Sequence, residues 1–200
     1  MGRWSSDCTR WFPRHHTVVV DDLTALALAA AEGDRVAMTA LVRRTQPVVW
    51  RVCARLGDRD AADDLTQEVY LRALPALVGF RVEASARTWL LQITRYVCAD
   101  HVRRRARGRA LLDRLVQRTD RGDSVAAPRT GELELDEVIG ALDPDRREAF
   151  VLTQVLGLSY AEAAEVGGVP IGTIRSRVAR ARVDLADALA DDLASGAEKG

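Results

Sequence analysis

The sequence predicts an all-α protein: two small helical domains joined by a flexible linker, the second closing on a helix-turn-helix. Three observations carry this reading. The chain is rich in Ala, and Gly and Pro are sparse inside its long runs, which favours helix over sheet. Apolar residues recur at three- and four-residue spacing in several stretches, the period of a half-buried helix. Between them, Gly108 to Gly131 has no sustained apolar period and contains RGDSVAAPRTG, a linker composition. A chain of 200 residues, 48% of them hydrophobic, is long enough for two cores. No stretch reads as a strand, and there is no internal repeat.

Taken in order, Met1 to Val20 carries Arg3, Arg10, Pro13 and Arg14 rather than a continuous apolar run, so it does not read as a signal peptide. It is expected to be a disordered leader, or the product of a start codon set too far upstream. Asp21 and Asp22 cap a first helix, Leu23 to Ala31, ended by Gly33. A second begins near Asp34 and carries Val36, Leu41 and Val42. Pro47 kinks or restarts it, and Val48, Val49, Val52 and Leu56 continue its apolar face to Gly57. The third begins near Asp60, with Leu65, Val69, Leu71 and Leu74 as its buried side, and Pro75 ends it soon after. The fourth runs from about Ala86 to Arg107, with Trp89, Leu90, Ile93, Val97 and Val102 inward. Beyond the linker, Leu133, Leu135, Val138, Ile139 and Leu142 form one helix. Asp143-Pro144 then supplies an N-cap and a first-turn proline for a helix to about Leu156.

The stretch Ser159 to Arg182 is the most informative. Ser159 and Glu162 have the spacing of a capping box, Gly167-Gly168 break the helix it opens, and Pro170 suits the first turn of the next. On that next helix Ile174, Val178, Ala181 and Leu185 form one apolar stripe. The opposite face carries Gly172, Ser176, Ala179 and Arg180, flanked by Arg175. A short helix, a Gly turn and a helix presenting Arg and small residues outward is the pattern of a helix-turn-helix.

Formal net charge is zero, but the total hides a segregation. His101 to Arg121 holds eight Arg against Asp113 and Asp120, and Ser159 to Val183 holds four Arg against two Glu. Gly122 to Leu158 and the tail from Asp184 are acidic. Nucleic acid is a reasonable partner for the two basic stretches only. Of 29 cationic residues 28 are Arg, but a GC-rich coding sequence gives the same bias. Cys8, Cys53 and Cys98 have no C-x-x-C spacing and form no metal spacing with His15, His16 or His101. No metal or cofactor is expected, Cys53 and Cys98 read as small core residues, and a reducing cytoplasm fits. No run of about 18 apolar residues exists, so no membrane span is expected.

Three stretches, in order, resemble a known family. DDLTQEVYLR from Asp63, ARTWLLQITRYVCADHVRRR from Ala86 and LDPDRREAFVLTQVLGLSYAEAAEVGGVPIGTIRSRVARAR from Leu142 look like the extracytoplasmic-function (ECF, group IV) σ factors of bacterial RNA polymerase. The likeness covers about residues 21 to 190 and is greatest to the actinobacterial SigC-type subgroup. It implies a σ2 domain over 21–107, a linker over 108–131, a σ4 domain over 132–190 and a tail over 191–200, with no σ1.1 or σ3 domain. It implies cytoplasmic action with core RNA polymerase, through the β′ clamp helices and the β flap, and with promoter DNA. Such factors are often held by an anti-σ partner, so one is a candidate here.

By that resemblance Asp63, Asp64, Gln67 and Glu68, one polar face of the third helix, are the main contact to the polymerase; from spacing alone they are a solvated face. Arg81 to Arg87 resembles the loop that captures a flipped −10 base, with Ser85 and Arg87 as polar contacts. Trp89 either stacks a base or packs in the core with Ile93, and the core reading is preferred. This region has one Trp where primary σ factors carry several aromatics, which implies weaker intrinsic melting. Arg103, Arg104, Arg105 and Arg107 extend the fourth helix and suit DNA phosphates, the simpler alternative being favourable charge at a helix C-terminus. Arg175, Ser176, Ala179 and Arg180 match positions facing the −35 major groove. Arg177 and Arg182 lie toward phosphate, and Thr173 suits a phosphate at the helix start.

The main reading is therefore a promoter-specificity subunit that reads −35 duplex with σ4 and opens −10 with σ2. The alternative is a stand-alone helix-turn-helix regulator whose first domain senses a ligand or dimerises. An enzyme is remote: H-E-x-x-H, G-x-x-x-x-G-K and G-x-S-x-G are all absent.

Overall fold

Local capping sets most helix starts. In the computed structural model, which describes residues 21–116 and 135–197, Asp21 accepts from the Thr24 N–H at 2.8 Å and opens α1, Asp22–Ala31. Asp34 accepts from Val36 and Ala37 and opens α2, Arg35–Val52. Pro47 sits exposed inside α2 without ending it, because Leu41, Thr45, Val49 and Val52 are buried on both sides of it. A π-turn, Cys53–Gly57, leads to α3, Ala62–Ala76, and a 3₁₀ turn, Leu77–Gly79, follows. Then come α4, Ala86–Val116; α5, Leu135–Ala141; α6, Pro144–Phe150, continued by a second π-turn, Val151–Val155; α7, Tyr160–Gly167; and α8, Ile171–Ala197. The described residues contain no strand. The expected leader, much of the expected linker and the last tail residues lie outside them.

Three expectations change. Leu71 is 64% exposed, because on α3 it lies about 120° around the helix from Leu65 and about 160° from Val69 and shares the outer face with Asp64 and Gln67. Val102 is exposed because α4 has passed the edge of the core there. And α4 does not stop near Arg107; it continues through Gly108 to Val116. A single Gly costs a helix only about 1 kcal/mol, and the Arg residues around it are good helix formers.

One contiguous apolar core joins Val49, Val52, Leu65, Leu91 and Val97 of α2–α4 to Ile139, Leu152, Ile174 and Val178 of α5–α8. A smaller cluster under α1 gathers Ala27, Ala30, Leu41, Leu77 and Phe80. Trp89 packs against both, its ring 5.2 Å from that of Phe80. The helices on either side of the linker are thus packed together, chiefly α4 on α7. Across that seam the Arg87 guanidinium donates to the Leu156 carbonyl at 3.0 Å, Gln92 Nε2 donates to the Glu165 carbonyl at 3.0 Å, and Arg95 pairs with Glu148 at 2.7 Å. Burial pushes the Glu148 carboxyl above its ordinary pKa, and Arg95 recovers only part of that shift.

Candidate nucleic-acid interface

The helix-turn-helix forms as its residues dictate. Ser159 and Glu162 close both halves of a capping box, and Gly168 takes the left-handed conformation at φ 63° that ends α7. Ile174, Val178 and Ala181 are at most 1% exposed, so the stripe of α8 is fully seated in the core. That seating fixes what α8 turns outward. Arg175, Ser176, Ala179 and Arg180 are exposed, and Arg175 and Arg180 have no hydrogen-bond or ion-pair partner among the described residues. Arg177 is instead paired with Asp145 at the start of α6, and Arg182 donates to Gln154 Oε1 at 2.9 Å. Thr173 is half-buried; its N–H donates to the Pro170 carbonyl and its own carbonyl accepts from the Ser176 hydroxyl. The eight-residue stretch from Arg175 to Arg182 therefore divides into two unpartnered arginines facing out and two that brace α8 against its neighbours.

Around the start of α4 the candidate side chains already have work within the fold. Ser85 accepts from the Thr88 N–H at 3.1 Å, capping α4, and its hydroxyl donates to Thr88 Oγ1. Arg87 is half-buried against Leu156, and Trp89 is the bridge between the two clusters. Thr24 Oγ1 accepts from the Ala86 N–H and ties the same point to α1. Farther along, Arg104 pairs with Asp100 at 2.8 Å and Arg105 with Asp58. Arg103 and Arg107 are exposed and unpartnered among the described residues.

The acidic face of α3 is built alongside an open groove. Asp63 accepts from Trp50 Nε1 at 2.9 Å, and Glu68 pairs with Arg72 at 2.6 Å, whereas Asp64 and Gln67 are exposed. Trp50, Gln67, Tyr70 and Leu71 line the groove. Sequence reasoning missed Trp50 and Leu71. Leu71 was accessible to it, since Asp64, Gln67 and Leu71 follow i, i+3, i+7 spacing.

Comparisons with known proteins identify the family of the chain. The family model for Sigma-70 region 2 matches residues 41–108, and that for Sigma-70, region 4 matches residues 132–185. ECF RNA polymerase sigma factor SigC of Mycobacterium tuberculosis (strain CDC 1551 / Oshkosh) is 51% identical over 173 residues, 86% of this chain and 94% of that protein. ECF RNA polymerase sigma factor SigE of Mycolicibacterium smegmatis is 36% identical over 182 residues, 85% of this chain and 69% of that one. Among solved structures, CnrH in complex with the cytosolic domain of CnrY superposes with a TM-score of 0.65 at 29% identity, covering 84% of this chain and 97% of that one. The sigma factor RpoE in complex with the anti-sigma factor NepR from Bartonella quintana gives 0.59 at 30% identity, over 78% and 98%.

Proposed function

The chain belongs to the extracytoplasmic-function σ factors of the sigma-70 family, and from that premise we propose how its surfaces divide the work of promoter-directed transcription initiation. It binds RNA polymerase and promoter DNA, and the stand-alone regulator is set aside. In our reading α8 enters the −35 major groove, with Arg175 and Arg180 reaching base edges and Ser176 and Ala179 permitting close approach. The observation that carries this is the split on α8: those two arginines are unpartnered, while Arg177 and Arg182 are held by Asp145 and Gln154. Arg177 and Arg182 then reach phosphate only by giving up those bonds.

The start of α4, with Ser85, Arg87 and Trp89, meets the −10 region, and Arg103 and Arg107 follow phosphates beyond it. Asp64 and Gln67, with Leu71 beside them, form the exposed part of the polymerase contact, and Asp63 and Glu68 flank it. The packed arrangement puts Arg87 against the second half of the chain, so using it on DNA requires α4 to part from Leu156 at the end of the second π-turn. An anti-σ partner, such as the one bound in the RpoE–NepR complex, is proposed for this chain too, as are cytoplasmic action and the absence of catalysis. Among the described residues no helix is long and apolar enough to cross a membrane.

Run-off transcription with purified core polymerase over a promoter library tests the assignment. Start sites that depend on this chain, and move when Arg175 and Arg180 are exchanged, are expected. Unchanged start sites with the doubly substituted chain would reject the role given to α8.

A further inference from the structure

Two thiols lie inside the fold with no part in any surface described above. Cys53 opens the first π-turn and Cys98 lies on α4; neither is in a disulfide, and they are 0% and 1% exposed. Each thiol is within hydrogen-bonding reach of the other. The turn runs close against α4 at this point: a Cβ placed on Gly57, at its end, would lie 3.5 Å from Cys98 Sγ and 2.6 Å from Leu65 Cδ1. Apolar side chains of similar size would fill this part of the core as well. Two sulfurs side by side add one property that such a filling lacks, since losing two hydrogens joins them.

The two sulfurs are not equivalent. The hydrogen bond from Cys98 holds the Cys53 thiol below its ordinary pKa although burial opposes it, while the same contact and burial push Cys98 up. Cys53 is the nucleophile of the pair and Cys98 the thiol that resolves it. We propose that Cys53 and Cys98 form a redox modification site, closed by a hydroperoxide into a disulfide that ties the end of α2 to α4. The Cys53 thiolate attacks one peroxide oxygen, the O–O bond breaks, and the departing hydroxide takes up the thiol proton as water. Cys98 then attacks the sulfenic sulfur, its own proton leaves with the hydroxyl as a second water, and the S–S bond forms. The two thiols lose two electrons and the peroxide gains them. In a reducing cytoplasm the bond is transient, reopened by thiol exchange. Its cover is the second half of the chain: the π-turn touches α5 and α6, and Glu148 of α6 lies near enough for its charge to act on Cys98. Peroxide reaches the pair when that cover lifts.

The test uses the full chain carrying Cys8→Ser, so that only this pair can react. Hydrogen peroxide is the probe, followed by intact mass, thiol titration in denaturant and peptide mapping without reductant. Both thiols are expected to disappear together with the loss of two hydrogens, a Cys53–Cys98 linked peptide to appear, and dithiothreitol to restore both. The bond closes a loop of about 45 residues, so the melting temperature is expected to rise by about 5–10 °C. Cys98→Ala is expected to stop at a sulfenic acid on Cys53, trapped by dimedone, and Cys53→Ala to leave Cys98 reacting at least about tenfold more slowly. Arg95→Ala, which loosens the cover, is expected to speed closure about tenfold. Thiols that persist in the folded protein at a peroxide dose that oxidises the denatured chain overturn the site. Oxygen added without a crosslink, or a crosslink only between molecules, overturns it too. Closure at an unchanged rate in Arg95→Ala overturns the route of entry alone.

Discussion

The two longest helices described, α4 and α8, both display arginine, and they hold it differently. On α8 the apolar stripe is sunk so completely that the outer face is left alone: Arg175 and Arg180 meet only solvent. On α4 the first turns are bound up with the rest of the molecule through Arg87, Gln92 and Arg95, while farther along Arg103 and Arg107 are exposed and unpartnered among the described residues. The surface proposed to read duplex is thus exposed as folded, while the start of α4, proposed to meet the −10 region, is held against the second half of the chain. Residue type does not distinguish the two; the partners of each guanidinium do.

The sharpest way to break the comparison is to unseat α8. Ile174→Ala removes a side chain with no exposure and is expected to cost about 3 kcal/mol in chemical denaturation, with −35 binding lost along with the fold. Next, Arg180→Ala, at an exposed and unpartnered position, is expected to cost about 2 kcal/mol on a cognate −35 duplex and to leave the melting temperature unchanged. An equal loss on scrambled duplex in binding titrations would move Arg180 to the backbone. Third, Arg95→Ala leaves Glu148 buried without its cation. With Arg95 itself about a third exposed, a loss of about 1.5 kcal/mol in α4–α6 packing is expected. A dye pair across the seam in the free protein should report a larger open fraction, and wild-type transfer efficiency would rule the contact unimportant.

The smallest effect is with pH. Burial raises the Glu148 pKa in the packed arrangement, so the proton is held more tightly there than when the seam is open. Its contribution to packing is complete below the ordinary carboxylate value and fades as pH rises through the raised one. The same dye pair should therefore show opening as pH climbs through that window, and Glu148→Gln should flatten the profile.

What the sequence revealed was the local part of this picture. Asp21, Asp34, Asp143 and Ser159 each bond N–H groups within three residues, so their caps are written in short spacing. The stripe on α8 is likewise a property of one helix. Leu71 went wrong where hydrophobicity was allowed to outvote angle: Val69 and Leu71 lie too far apart around α3 to be buried together. The π-turns at Cys53–Gly57 and Val151–Val155 leave no periodic signal in five residues. A side chain at Gly57 would press to within 2.6 Å of Leu65 Cδ1, a demand created by packing of α3 on the turn. The seam between α4 and the second half of the chain joins residues 53 to 73 positions apart, a separation no local pattern encodes. The bond from Arg87 to the Leu156 carbonyl was hidden for the same reason, whereas the Ser85 cap is local and the core packing of Trp89 was the reading preferred from sequence.

The unbroken run of α4 over 31 residues makes it a lever. It is about 45 Å long at 1.5 Å per residue, and its fulcrum is the knot where Thr24, Phe80 and Trp89 pin its first turns. A tilt of about 10° there swings the far end by about 8 Å. Small rearrangements near its start are thereby magnified at its far end, with no break in the helix to absorb the motion.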